Sequence, residues 1–351
     1  MTALSRKPAG QPAAADVEPN SGRWARLIGG GWIFLLLVAL IAIFSILKPA
    51  QFGSAYNLSM LAINAAILLV LAVGQTFVII AAGIDLSIGA VLVFSSVVSA
   101  QVMLHLSGEA GTTYGTTAAS WWVVGAGALV ALLSGAAWGA LNGFLIAVAR
   151  IPALIVTLGS LGMALGAAQL LTGGVDVRAM PALLVDGIGA GTVAGIPVLV
   201  LIAIAVTIIA AIVLHLTRFG LHVFALGSNQ EAARRAGVKT RRRIVAIYVL
   251  SGTLAGLAAV MANARFATTT IGGYAMDNLS TISAVVLGGT SLFGGIGSIA
   301  GTVIGVFIPI VLLNGFVILG IPPFWQTIAM GAVLILAVWI DQLKRRARER
   351  G

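Results

Sequence analysis

The chain has 351 residues, 60% of them hydrophobic and 9% charged, with 20 Lys and Arg against 10 Asp and Glu. A soluble domain carries about 25% charged residues, so a water-soluble enzyme, a disordered regulator and a fibrous protein are excluded, and a polytopic helical membrane protein remains. The net +10 therefore reads by position, as basic residues gathered on the cytoplasmic side, and not as a nucleic-acid surface.

Residues 1–26, rich in Pro, Ala and Gly with scattered charges, read as a disordered cytoplasmic tail. A bilayer core about 30 Å thick needs roughly 20 apolar residues per helix. Uncharged runs of that length are Leu27 to Leu47, Leu58 to Ile84, Leu86 to Leu104, Trp121 to Ala149, Ile151 to Val175, Gly187 to Leu214 and Ile244 to Ala264. The first is 21 residues long, against 7–15 for a signal-peptide core, and is expected to be retained. A last run from Asn278 to Ile340 holds 63 residues without a charge. Gly288-Gly289, Gly294-Gly295 and Gly320-Ile321-Pro322-Pro323 cut it into three.

Seven spans and three make ten, with both termini in the cytoplasm. Seventeen of the 20 Lys and Arg then fall on that side, in the N-terminus, at Arg150, over Arg218 to Arg243 and in the tail from Lys344. Only Lys48, Arg178 and Arg265 fall opposite. Two spans in the last run would put the basic tail outside, so the positive-inside rule favours ten. The fold class expected is all-α: a transmembrane domain over 27–343 with a cytoplasmic loop at 216–243, and a basic tail over 344–351. Glycine supplies 44 residues. Gly135-x-x-x-Gly139-x-x-x-Gly143 and Gly297-x-x-x-Gly301-x-x-x-Gly305 are small-residue ladders that let helix backbones approach, either inside the bundle or between subunits.

Reactive chemistry is sparse. Cysteine is absent, which removes thiol nucleophiles and cysteine metal sites. His105, His215 and His222 stand in no ligand spacing, and no Gly-Lys followed by Ser or Thr forms a phosphate loop. No metal, no cofactor and no catalytic role are expected, and any ATP must be hydrolysed by a partner subunit. Asp85, between the second and third runs, is the acid placed to matter. It is open between a helix cap, a broken helix beside a pathway, and a proton-coupling acid. Asn64, Gln75, Asn142 and Asn278 join it as candidates for lining a path, and Gln169, Asn314 and Gln326 are further polar residues inside spans. The same residue types also serve as hydrogen bonds between helices.

The longest polar segment between spans contains Leu226-Gly-Ser-Asn-Gln-Glu-Ala-Ala-Arg-Arg-Ala-Gly-Val238. Ser228 or Asn229 can cap a short helix, and Gly237 suits the position after its end. A solvated basic loop accounts for Arg241, Arg242 and Arg243 but not for a capped helix, which suggests a docking element.

That segment resembles the coupling helix of ribose/xylose/fructose-type permeases of bacterial ATP-binding-cassette importers. Gly74-Gln-Thr-Phe-Val-Ile-Ile-Ala-Ala-Gly-Ile-Asp-Leu-Ser-Ile-Gly89 resembles the family's most recognisable block. Pro152-Ala-Leu-Ile-Val-Thr-Leu-Gly-Ser-Leu161 and Ala284-Val-Val-Leu-Gly-Gly-Thr-Ser-Leu-Phe-Gly-Gly-Ile-Gly-Ser298 are similar to two more. One departure is Ala82, where a Gly-Gly pair is common. The resemblance implies a type II importer fold with inverted repeats, spans two to five against seven to ten, and a homodimer around a central path. It also implies a periplasmic sugar-binding protein outside and a cytoplasmic ATPase inside. Gly227, Asn229, Glu231, Ala232, Arg234 and Gly237 would then lie at the ATPase contact. The solute would be a monosaccharide and the location the inner membrane, with lipid around the spans. An ion-coupled secondary transporter using Asp85 is the alternative reading.

Overall fold

The computed structural model describes residues 21–274 and 277–350, so most of the N-terminal tail lies outside the described residues. The chain runs through α1 (Ser21–Leu47), the one-turn α2 (Pro49–Phe52), α3 (Ala55–Ile80) and α4 (Ile88–Leu106). After β1 (Tyr114–Thr117) come α5 (Trp121–Ala147), α6 (Ala153–Thr172), β2 (Arg178–Pro181), α7 (Ala182–Leu184) and a π turn over Val185–Gly189. A two-residue hairpin, β3 (Thr192–Val193) and β4 (Ile196–Pro197), precedes α8 (Val198–Leu216). The rest is α9 (Arg218–Ser228), α10 (Gln230–Arg235), α11 (Thr240–Phe266), α12 (Asp277–Leu287), α13 (Ile299–Ile318) and α14 (Pro323–Arg350). β1 and β2 pair in parallel and clip two loops together at one end.

Among the described residues, seven helices are long and apolar enough to cross a membrane: α3, α4, α5, α6, α8, α11 and α13. The final uncharged run does divide into three at its glycines, and Gly289, Gly294, Gly295 and Gly320 all have positive φ. Its first piece is short, however. α12 has 11 residues and rises about 16 Å, half the thickness of a bilayer core. The sequence boundaries shift at both ends as well: helix begins at Ser21, and α14 carries the basic tail as helix to Arg350.

α3 is the axis of the bundle, buried along nearly its whole length. The first glycine ladder fastens α5 to α11 antiparallel. A Cβ on Gly135 would strike Gly252 O, one on Gly139 would strike Tyr248 O, and one on Gly143 would lie 2.7 Å from Val245 Cα. The second fastens α13 to α12, with Gly301 against Gly288 O and Gly305 against Ala284 O. Both ladders therefore work inside one subunit.

The inverted repeat, barely visible in the residues, is plain in the packing. α4 packs on α5, α6 and α11, and α12 packs on α13, α14 and α3. Exchanging α3–α6 for α11–α14 maps one set onto the other. The two halves run oppositely, since Met60 near the start of α3 meets Arg265 near the end of α11. Each half breaks after its first helix, from residue 81 to 87 and from residue 267 onward, and each break carries an alanine with positive φ near its start, Ala82 (60°) and Ala267 (53°). The broken ends meet: Gly89 N donates to Asn278 Oδ1 at 2.7 Å, joining the heads of α4 and α12.

Candidate functional site

Thr217 ends α8 and caps α9, accepting from Phe219 N and Gly220 N. The chain turns here because Gly220 lies so close to the backbone of Leu214 that no side chain fits. α10 is bounded on both sides by its own sequence. Asn229 Oδ1 accepts from Ala232 N at 2.9 Å. At the other end Gly237, at φ 85°, lets its N–H reach Arg234 O while Val238 N reaches Ala233 O, the paired bonds of a Schellman C-cap. Glu231 Oε1 accepts from Arg234 Nη2 at 2.9 Å and Arg235 Nε at 3.1 Å. These hydrogen bonds hold its carboxyl below the usual glutamate range. Apart from buried Ala233, every residue of α10 is exposed, so its outer surface is available to a partner.

The α9–α10 element is seated through Gly227 on the first repeat break and on the loop between α12 and α13. A Cβ there would strike Ile80 O, at the end of α3, and lie 2.5 Å from Gly295 N. Gly295 N itself donates to Ile80 O at 2.8 Å, and a Cβ on Gly294 would meet Gly227 O and the Ala82 methyl. The surface element, the break before α4 and the glycine loop between α12 and α13 thus share one backbone contact. Arg150 and Arg241 line a cavity with Gln230, Glu231 and Arg234, so this is also the end where basic residues gather.

Above this contact, Asp85 is buried. Its Oδ1 accepts from Ser87 N at 2.9 Å and Ser87 Oγ at 2.6 Å, and its Oδ2 accepts from Ser251 Oγ at 3.3 Å. Ser87 Oγ accepts in turn from Asn142 Nδ2 at 2.9 Å. Ser251 is near the middle of α11, so the carboxylate heads α4 at mid-depth and ties it to α5 and α11. Here the carboxyl closes the turn that leads into α4, met by three donors.

The other polar candidates separate. Gln75 is fully buried and has no hydrogen-bond partner among the described residues. Asn142 and Asn278 are buried within the network and at the α4–α12 junction. Asn64 is exposed. Gln169 is exposed on α6, Asn314 exchanges hydrogen bonds with Asn57, and Gln326 is half-buried on α14. The Asp-x-Ser spacing at Asp85 and Ser87 was a readable sign of the turn. Nothing local marks Ser251, nor Asp277, which heads α12 as Asp85 heads α4. A third glycine set was also readable: Gly159, Gly162 and Gly166 on α6 have no neighbouring atom within 4 Å of a Cβ position.

The chain matches the family model described as branched-chain amino acid transport system / permease component over residues 57–338. It is 36% identical over 317 residues to the ribose import permease protein RbsC of Escherichia coli (strain K12), spanning 89% of this chain and 93% of that one. It is 34% identical over 323 residues to the fructose import permease protein FrcC of Rhizobium meliloti, spanning 90% and 85%. It is 30% identical over 379 aligned positions to the xylose transport system permease protein XylH of Escherichia coli (strain K12), spanning 90% and 92%. No solved structure matches. With seven helices able to cross a membrane and the family match running from α3 into α14, the chain is a multi-pass membrane protein that belongs to this family of transport-system permeases.

Proposed function

We propose that the chain is the permease subunit of an ATP-binding-cassette importer that carries a monosaccharide, a pentose or hexose, across the inner membrane. The observation that carries this reading is the seating of α9–α10, through Gly227, on the end of α3 at the first break and on the α12–α13 loop. A partner that moves α10 must also move the end of α3 and the α12–α13 loop, because backbone touches backbone and no flexible side chain absorbs the shift. A cytoplasmic ATPase docking on Asn229, Glu231, Ala232, Arg234 and Gly237 would use that lever. The names of the relatives, for ribose, fructose and xylose, support a sugar.

Both termini face the cytoplasm in this reading, by the positive-inside rule. The opposite end, with β1, β2 and the β3–β4 hairpin, receives a periplasmic sugar-binding protein. Two copies form the transporter. In each, α6 turns Gly159, Gly162, Gly166 and Gln169 outward, which supports α6 as the face toward the second copy and the path between them. Asp85, Asn142 and Asn278 then act from behind the path, holding the broken helices in register; Gln75 lies buried behind it, and Asn64 is the candidate that can face it.

Glu231→Arg combined with Gly237→Pro tests the lever. It removes the ion pairs and the αL C-cap of α10 and touches no residue of the Gly227 seat. Sugar uptake and ATPase stimulation are expected to fall together while the protein still inserts. Normal uptake in that variant would overturn the docking role.

A further inference from the structure

Two cavities at the basic end share Arg241. The first, of about 540 Å³, lies between the end of α5, α10 and the head of α11, and its charged wall is Arg150, Glu231, Arg234 and Arg241. The second, of about 480 Å³, is a groove running from Arg241 and Arg242 past Val245, Ala246 and Val249, with Val148 on its far side. The first is polar and the second hydrocarbon along its length, and the two meet at one shared guanidinium, Arg241.

The charge in the first cavity is unbalanced. Glu231 is its one carboxylate, and Arg234 and Arg235 already occupy it. Arg150, Arg241 and Arg242 are exposed and make no ion pair among the described residues. The first turn of α11 contains no acid, and its positive pole adds to the charge of Arg241 and Arg242. Three guanidiniums gathered this way call for an anion.

The groove says which anion. Its walls are aliphatic and descend the flank of α11, a membrane-spanning helix. A free phosphate would leave that wall bare, and a soluble protein's acidic loop would not follow it into the hydrocarbon. A molecule with a phosphate at one end and an alkyl chain at the other covers both parts. We propose that Arg150, Arg241 and Arg242 with the Val148–Val249 groove form a binding site for one anionic phospholipid of the phosphatidylglycerol type. Basic pockets between helices at a membrane surface favour such headgroups over zwitterionic ones. Because its walls belong to α5, α10 and α11 together, the bound lipid braces the α9–α10 element against the bundle, and membrane charge becomes a regulator of that element. The site requires only that the helices span a membrane, so it does not depend on which solute is carried.

The experiment is lipid retention by the purified full-length permease, read by native mass spectrometry with phosphatidylglycerol, phosphatidylcholine of the same chains, and inorganic phosphate as probes. Phosphatidylglycerol is expected to be retained preferentially. Arg150→Gln with Arg241→Gln should weaken it about 25-fold, at about five-fold per arginine. Arg178→Gln, at the opposite end, should leave it unchanged. Ala246→Phe should weaken binding with every arginine present, and Arg242→Gln gives an independent reading should that variant not fold. Equal retention of phosphatidylcholine, or unchanged retention in the double variant, would overturn the site. Displacement by millimolar phosphate would reassign it to a free anion, and displacement by one equivalent of the ATPase would reassign the arginines to that partner. Either displacement overturns the lipid.

Discussion

Gly227→Ala is the smallest change that separates the lever from its support. The added methyl would strike Ile80 O and come within 2.5 Å of Gly295 N. Both atoms are backbone, so neither can swing away as a side chain would. Relief requires α9–α10 to back off, or the methyl to part Gly295 N from Ile80 O and break their 2.8 Å hydrogen bond. Forcing a methyl into a packed contact costs about 1–3 kcal/mol, and parting that hydrogen bond would add about 1 kcal/mol, so the total is about 1–4 kcal/mol. Gly237→Ala is the control. At φ 85° with no atom within 4 Å of its Cβ position, it incurs only backbone strain of about 1–2 kcal/mol, confined to the end of α10. Thermal unfolding of the purified protein and sugar transported per ATP hydrolysed are the two readouts. Gly227→Ala should lower both, and it should lower transport per ATP well below the Gly237→Ala value. A Gly227→Ala protein with normal unfolding and normal transport per ATP would refute the shared backbone contact as the lever.

Asp85→Asn keeps an acceptor for Ser87 N and should retain most uptake, whereas Asp85→Ala strands that N–H and two hydroxyls and should destabilise by about 1–3 kcal/mol per stranded group; abolished uptake in the Asn variant would mean the charge itself is used. Ala82 sits at φ 60°, so Ala82→Gly should relieve strain and raise unfolding stability by about 1 kcal/mol, read by thermal denaturation. The Glu231 carboxyl is held below the ordinary 4.5 by its bonds to Arg234 and Arg235. Its ion pairs are therefore complete above that value and are lost only as pH falls through the lowered one. ATPase stimulation should stay level from neutral pH down to about 5 in the wild type; a fall above 5 that Glu231→Gln removes would contradict this.

The spans were readable because about 20 uncharged residues in a row have few other uses, and the turns at Gly289, Gly294, Gly295 and Gly320 because positive φ selects glycine. The ends of α10 were readable for the same local reason, an Asn before it and a Gly after it. What stayed hidden depends on contacts far along the chain. The uncharged run does not reveal that α12 stops at half-depth, because it continues past Leu287 without a charge. Asn64 and Gln75 are eleven residues apart and so lie on nearly the same face of α3, yet one is exposed and the other fully buried. Depth and neighbours separate them, and periodicity carries neither. Gly227 looks like any loop glycine until Ile80 and Gly295 arrive against it. The repeat needs only helices of matching shape in opposite directions, so α4 and α12 can be equivalent with almost no residues in common. The ladder on α5 and the open set on α6 are both plain glycine spacings, and only the fold says which one has a partner inside the subunit.

The most direct test of the central claim is the energy source of uptake in proteoliposomes containing the permease, its ATPase and its binding protein. Labelled-sugar uptake is expected to require ATP, to survive an uncoupler and to be lost in Gly227→Ala. Uptake driven by an ion gradient without ATP, and unaffected by Gly227→Ala, would contradict it.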